Sequence, residues 1–557
     1  MRIRSAPFDA LPPLWIAALL LSTPGSTKAQ DRPQAAFGET VEVRVVNIEV
    51  VVTDRDGTPV SGLVKEDFEL RVDGRPVAIT NFYASERRVP RPEEAPAPAA
   101  GQEGASPAAP AAPPIRLVVW IDDLSLAPGN RRRVLRQLGE FLDEQERLGS
   151  EILIVRFDRS IEVVRPFAER RRRISDDLAE LERRAASGAF LEAGRREMMR
   201  EIRQIRAEDG CGGIDRMEDV ARRFAAPLRG DVLTGLAGLR DWVRSLAGLE
   251  GRKALLYVSD GVPTAPGQEA YLLIDQLCSG STSWSTTENV INQVRDVAAA
   301  ANSAGVTFYT LDAAGLPVSA SAGDTGAGLD LGFEQLVRAN YQDSLASLAN
   351  ETGGRALFDS NKIAPLVSTL ASDLEAYYSL GYAPEGEPGG AARRRIEVRV
   401  ARAGLRVRHR TGLVDRPAVE RASDRLHAAL RFAAAVPDSL GATLETAAVE
   451  PIDAATARVP MQVLVPATRL VFLPGDAGET ARLEIAVVAS DGEGRLAPEQ
   501  RRTIVVPRAG LGADLAQAIV RVPLELVLRK GRATIAVAVR DAGGSNESIV
   551  RREVLVR

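Results

Sequence analysis

Two apolar runs that each end in aspartate constrain this chain more than any other feature. Leu117-Val118-Val119-Trp120-Ile121 runs into Asp122-Asp123-Leu124-Ser125, and Ala254-Leu255-Leu256-Tyr257-Val258-Ser259 runs into Asp260-Gly261. Apolar runs of this kind mark strands buried on both faces, which occur in parallel sheets covered by helices. Such a strand delivers the residues that follow it to the C-terminal edge of the sheet, where open α/β folds bind ligands. A third segment, Asp231-Val232-Leu233-Thr234, adds a hydroxyl at the expected start of an apolar helix. Carboxylates with Ser and Thr hydroxyls make an oxygen-only donor set, which suits Mg²⁺.

From Ile115 to about Pro384 strand-like and helix-like periodicities alternate, which predicts a mostly parallel sheet with helices on both faces. The expected strands are 117–121, 152–157, 254–259, 306–311 and 355–358. Val134, Leu135, Leu138, Phe141 and Leu142 share one helical face, and Leu236, Leu239, Trp242, Val243 and Leu246 share another. The charged stretch 174–206 reads as a helical insertion beside the proposed metal edge. It runs into the glycine-rich Asp209-Gly210-Cys211-Gly212-Gly213.

The Asp-ended segments and Thr234 resemble the von Willebrand factor type A (VWA) domain and its metal-ion-dependent adhesion site. Gly251-Arg252-Lys253-Ala254-Leu255-Leu256, Thr352-Gly353-Gly354-Arg355 and Tyr377-Tyr378-Ser379-Leu380-Gly381-Tyr382 are similar to an exported bacterial VWFA-related group. The resemblance spans roughly residues 41–414. It implies a Rossmann-like, doubly wound, mostly parallel core flanked by all-β domains. It also implies a site built from Asp-x-Ser-x-Ser after the first strand, a Thr from a second loop and an Asp after a later strand. Carried onto this chain, the metal set is Asp122, Asp123, Ser125, Thr234 and Asp260, holding Mg²⁺ or Mn²⁺, with an open position for an acidic residue of a protein partner. The first motif departs from the family in either register. Counted from Asp123 it keeps Ser125 but has Ala127 at the second Ser position; counted from Asp122, Ser125 falls between the two positions. The rival reading makes these carboxylates loop and helix caps in a structural scaffold that binds no metal. Asp312, after 306–311, reads as such a cap.

Around this core, 1–29 reads as a signal peptide. Arg2 and Arg4 precede an apolar stretch, 14–21, and Thr27-Lys28-Ala29 supplies small residues at the cleavage positions. Residues 38–86 read as a small β unit, with Asp73-Gly74 turning a hairpin. The Pro/Ala-rich 87–114 reads as a linker. The VWA domain is expected over 115–415, closed by a hairpin of 395–400 and 405–409. A connecting helix follows over 416–435, then a β-sandwich-like domain over 436–557. Cys211 and Cys278 either form one disulfide in an oxidising compartment or remain free thiols. A net charge of −4 gives no bulk attraction for nucleic acid. With two histidines, His409 and His427, and no recognised hydrolase or phosphate-binding motif, no enzymatic activity and no catalytic residue is expected.

Overall fold

The computed structural model describes residues 45–86, 115–167, 169–185, 187–278, 289–315, 331–358, 360–384, 393–414, 417–432, 437–475, 478–492, 495–512, 514–544 and 546–557. The expected signal peptide and linker lie outside these residues. The described chain falls into two compact units, one of Arg44–Ala434 and one that includes Ala435–Arg557.

The first unit opens with four strands, β1 (Val46–Thr53), β2 (Phe68–Val72), β3 (Arg75–Val77) and β4 (Asn81–Glu86). Asp73 and Gly74 both take positive φ, 53° and 78°, which a two-residue hairpin turn requires. The chain then alternates strand and helix. β5 (Ile115–Asp122), α1 (Pro128–Arg147), β6 (Glu151–Phe157) and β7 (Ile161–Arg165) lead to α2 (Ile174–Arg183), α3 (Gly188–Asp209) and α4 (Ile214–Ser245). Next come β8 (Arg252–Ser259), α5 (Gln268–Cys278), α6 (Ile291–Ala304), β9 (Val306–Asp312), α7 (Leu331–Thr352), β10 (Arg355–Leu357) and α8 (Ala364–Glu375).

The central sheet has the order β10-β9-β8-β5-β6-β7. All neighbours are parallel except β7, which closes one edge antiparallel to β6. Residues alternate between two buried faces along β5, as an apolar run demands. Leu117, Val119 and Ile121 pack with Leu135 and Leu138 of α1, Leu178 of α2 and Leu370 of α8. Val118 and Trp120 pack with Leu239 and Trp242 of α4, Val297 of α6 and Leu348 of α7. Each fully buried side chain of this size contributes roughly 1.5–3 kcal/mol.

The 174–206 stretch divides. Arg184 ends α2 in an extended conformation, and α2 packs on α1 as part of the sheet's helical layer. The lobe begins at α3, which pairs with α4 and α5 around a separate small core that includes Met198, Ile202, Met217, Val220 and Ile274. Cys211 and Cys278 are disulfide-bonded across this lobe. The apolar helix expected to start near Thr234 is the second half of α4, which runs 32 residues with Pro227 inside it.

The N-terminal strands find their partners some 300 positions along the chain. β11 (Ala376–Tyr382), β12 (Arg393–Val400), β13 (Arg406–His409) and β14 (Gly412–Val414) join them in two four-stranded sheets, β13-β1-β11-β4 and β14-β12-β2-β3. Ile48, Val50, Leu70, Tyr378, Leu380 and Val398 share the core between them. The hairpin expected at 395–409 is therefore corrected. β12 bonds to β2 (Val398↔Leu70) and β13 to β1 (Val52↔Val407), so the two strands lie in opposite sheets. Their alternation suits either arrangement, and only the distant partner strands decide between them. α9 (Ala418–Phe432) places Ala428 and Phe432 in the core beside Trp242.

The second unit pairs two antiparallel sheets around one apolar core that includes Val459, Val463, Leu483, Ile485, Ile535 and Val537. Its longest strands are Thr456–Pro466, Gly478–Asp491, Ile519–Arg529 and Gly531–Asp541. Among the described residues no helix is long and apolar enough to cross a membrane.

Candidate functional site

From β5 the chain runs one way through β6 and β7 and the other way through β8, β9 and β10. The strand order therefore reverses between β5 and β8, and the residues ending these two strands face the crevice that such a switch point creates. Asp122 is the last residue of β5 and is buried. One of its oxygens, Oδ2, accepts hydrogen bonds from Tyr257 Oη at 2.8 Å and Ser259 Oγ at 3.2 Å, both from β8. Ser125 Oγ donates to the Asp122 carbonyl at 3.1 Å and lies 2.8 Å from Ser259 Oγ. Burial raises the Asp122 carboxyl above its ordinary range, against hydrogen bonds that favour the charged form. Burial and the neighbouring Asp122 hold the Tyr257 hydroxyl well above its own ordinary value.

Asp260 follows β8. Its Oδ2 accepts from the backbone N–H of Ala127, just before α1, at 2.8 Å and from Asn130 Nδ2 at 2.9 Å. Its Oδ1 is buried and has no hydrogen-bond partner. Burial pushes this carboxyl up to about 7, opposed by those two hydrogen bonds and by the charge of Arg133, while Asp312 nearby raises it further. Gly261 allows the chain to leave the strand here: its φ is +104°, and a Cβ would lie 2.7 Å from Tyr341 Cβ. Asp312 accepts from the Ala314 N–H at 3.0 Å and from Gln342 Nε2 at 2.7 Å, and its bond to Ala314 makes a local loop cap.

Two expected site residues lie elsewhere. Asp123 is fully buried, and both its oxygens are taken by Arg131 and by Arg156, whose Nε stands 2.5 Å away. It is corrected from metal ligand to buried ion-pair partner, and of the two adjacent carboxylates Asp122 is the one that lines the cleft. Thr234 is exposed and lies well inside α4, apart from the cleft; a helix start near it was the wrong boundary, because α4 begins at Ile214. Tyr257, Ser259 and Asn130 were missed. A usable signal existed for the first two, since polar residues at alternate positions of an otherwise apolar run share one face of the strand.

The lobe of α3, α4 and α5 rises beside this edge, and the cleft it bounds has a volume of about 950 Å³. Asp122, Ser125 and Asp260 line its floor, while Phe190, Met198, Phe224 and Val232 belong to its walls. α3 is pinned close: Gly188 N donates to the Asp123 carbonyl at 3.1 Å, and a Cβ on Gly188 would lie 2.0 Å from the Leu126 carbonyl oxygen. Neither histidine lines the cleft. Among the described residues no three Asp, Glu, His or Cys side chains gather as a metal cluster. A cation on this floor would therefore draw on hydroxyl as well as carboxylate oxygen. Asp122, Ser125 and the unpartnered Oδ1 of Asp260 supply that chemistry.

No protein-family model and no curated protein matches the chain. Among solved structures, the pilus adhesin SpaC from Lactobacillus rhamnosus GG aligns over 90% of this chain and 58% of its own, at 8% identity and a TM-score of 0.22. A glycosyl hydrolase family 2 member from Bacteroides cellulosilyticus aligns over 33% of this chain and 19% of its own, at 9% identity and a TM-score of 0.15. The Northeast Structural Genomics Consortium target SoR45 aligns over 22% of this chain and 88% of its own, at 11% identity and a TM-score of 0.15. Similarity this low carries no argument about fold or function.

Proposed function

We propose that this chain is an exported, non-enzymatic binding protein whose α/β domain is of the VWA type. Its cleft would recognise a protein partner through a divalent cation, Mg²⁺ or Mn²⁺. The observation that carries the reading is the buried, unpartnered Oδ1 of Asp260 at the strand-order reversal, beside Asp122 and Ser125. An uncompensated carboxylate in a low-dielectric site is costly, and a bound cation removes that cost. Asp122, Ser125 and Asp260 would hold the ion. When bound, it supplies a positive centre with room for a partner's acidic side chain. The chain's own residues do the positioning: Tyr257 and Ser259 fix the Asp122 carboxylate, and Asn130 with the Ala127 N–H fixes Asp260. The disulfide Cys211–Cys278 and the signal-like 1–29 support an oxidising compartment outside the cytoplasm.

Titration calorimetry with Mg²⁺ and Mn²⁺ tests the reading, together with capture of envelope proteins with and without chelator. The expected result is one cation site that is lost in Asp260→Ala, and partner capture that is lost with chelator. A second reading has its own supporting observation: Asp122 already has two hydroxyl donors, and Thr234 contributes nothing to the cleft. Absence of cation binding to the wild type at millimolar concentration would replace the proposal with that of a metal-free scaffold.

A further inference from the structure

The cleft is far larger than one acidic side chain needs, and its chemistry is divided. Clefts of roughly 300–1,000 Å³ with apolar walls and a few placed polar groups are ordinary ligand sites, and this one, at about 950 Å³, lies at the upper end of that range. Its polar groups include Asp122, Ser125 and Asp260 on the floor. One wall is the start of α3 facing the middle of α4, with Phe190, Met198, Phe224 and Val232 along it. Phe190 is 78% exposed, the most exposed of the large apolar side chains among the described residues. It stands in water one turn from Gly194, where a Cβ would meet nothing nearer than Phe224 Cε2 at 4.0 Å. The far end of the lobe is tied by Cys211–Cys278 and its near end by Gly188 against Leu126, so both ends of α3 are anchored.

We propose that this slot receives a bulky apolar side chain standing next to the partner's acidic residue. The recognised element is then a short acidic–apolar polypeptide segment, with leucine, methionine or an aromatic residue seated among Phe190, Met198, Phe224 and Val232. The charge pattern selects this occupant. A cation on the floor would attract the carboxylate, while charged groups of the same lining are paired with one another, Arg159 with Asp231 at 2.8 Å and Arg223 with Glu201 at 2.7 Å, so that a second charged side chain gains less there than an apolar one set against Phe190. The acidic half of the inference rests on the metal-dependent reading; the apolar half does not.

Gly194→Leu separates the two. It replaces a mid-helix glycine with a better helix former and puts a branched side chain into the slot. The variant should therefore melt at or above the wild-type temperature and bind Mg²⁺ as the wild type does. A displayed library of short random peptides is panned against the full wild-type chain and the full Gly194→Leu chain, each with Mg²⁺ and with chelator. Sequences enriched on wild type over Gly194→Leu should pair Asp or Glu with an adjacent Leu, Met, Phe or Trp. Phe190→Ser should weaken the same peptides about tenfold, a loss of roughly 1.4 kcal/mol, without a change in melting. Enrichment blocked by Gly194→Leu but indifferent to chelator sustains the slot and removes the metal reading. No peptide preferring wild type over Gly194→Leu, or enriched peptides with no apolar preference, overturns the slot.

Discussion

The two ends of the central sheet treat buried charge in opposite ways. At the N-terminal end the two four-stranded sheets of the first unit, β13-β1-β11-β4 and β14-β12-β2-β3, lie beside the edge and acids meet guanidinium groups. Glu49 of β1 stands 3.5 Å from Arg252 of β8, and Asp373 of α8 accepts from Arg408 of β13 at 2.6 Å. Arg252 also donates to the Asp373 carbonyl at 2.6 Å and lies over the Tyr377 ring at 4.2 Å. At the C-terminal end Asp122 and Asp260 have only hydroxyl, amide and backbone donors, and no cationic side chain comes within ion-pair distance among the described residues. Asp122 and Asp260 thus have no ion-pair partner among the described residues, Arg133 acting on Asp260 only from beyond that distance, and the proposed cation would supply the missing charge. Asp123 sharpens the contrast, because it sits next to Asp122 in sequence yet is paired like the acids at the closed end.

The largest effect expected from this contrast is at Asp123. Asp123→Ala leaves Arg131 and Arg156 facing each other without their acid, and Arg131 is almost wholly buried. Removing one partner of a buried pair costs about 3–5 kcal/mol, which denaturant unfolding would detect as a lowered midpoint. A loss below about 1 kcal/mol, typical of exposed pairs, would mean that the pair is open to water.

The disulfide comes next. Opening Cys211–Cys278 with paired Ala substitutions releases a loop with a sequence separation of 67. The loop-entropy model gives a loss of roughly 4 kcal/mol at most. Faster amide exchange should be confined to α3, α4 and α5, with β5 and β8 still protected. Uniform loss of protection across the sheet would show that the lobe is not a separate cooperative unit.

Much of this contrast was legible before any coordinates. The five expected strands match β5, β6, β8, β9 and β10 because runs such as 117–121 are apolar on both faces. Asp122 and Asp260 stand out because each ends such a run. The antiparallel β7 was not legible: Ile161, Val163 and Arg165 give a short edge strand whose alternation is half exposed. The first half of α4 was not read as helix, because Pro227, Gly230 and Gly235 punctuate it like a loop, whereas packing of Met217, Val220 and Leu228 carries the helix through. The two four-stranded sheets of the first unit were read as separate pieces, 38–86 and 395–409, because local alternation holds no record of a partner on the far side of an intervening domain. The Arg131–Asp123–Arg156 pairing was hidden for the same reason, since Arg156 reaches Asp123 from the neighbouring strand β6.

The closed end makes a pH prediction. Lys253 is buried, donates to the Leu249 carbonyl at 2.6 Å, and is surrounded by Glu49, Asp424, Arg116 and Arg410. Burial pulls its ammonium down to about 8 from an ordinary 10.5, with Arg116 and Arg410 adding to the shift and Glu49 and Asp424 opposing it. Between those values the unfolded chain holds a proton that the folded chain has released, so stability rises as pH increases from about 8 to about 10.5. The slope is at most about 1.4 kcal/mol per pH unit. Lys253→Met should flatten the profile over that window, and urea midpoints at several pH values would show it. An unchanged slope in the variant would place the titration on another group.

The smallest effect belongs to Thr234. It is exposed and outside the cleft, so Thr234→Ala should alter stability by no more than about 0.5 kcal/mol and leave cation affinity unchanged in calorimetry. A clear loss of affinity would return Thr234 to the site and would require α4 to break before it.

The central claim of the proposal is that a divalent cation binds at the open end, beside Asp122 and Asp260, and not at the closed end. Thermal melts of the wild type, Asp260→Asn and Lys253→Met at pH 7.5, with chelator and with millimolar Mg²⁺, test it most directly. The wild type and Lys253→Met should rise in melting temperature with Mg²⁺. Asp260→Asn should melt at or above the chelated wild type and gain nothing from the ion, because the amide no longer carries the charge that a cation would offset. A wild type whose melting is the same with and without Mg²⁺, or an Asp260→Asn variant that keeps the full shift, would contradict the account.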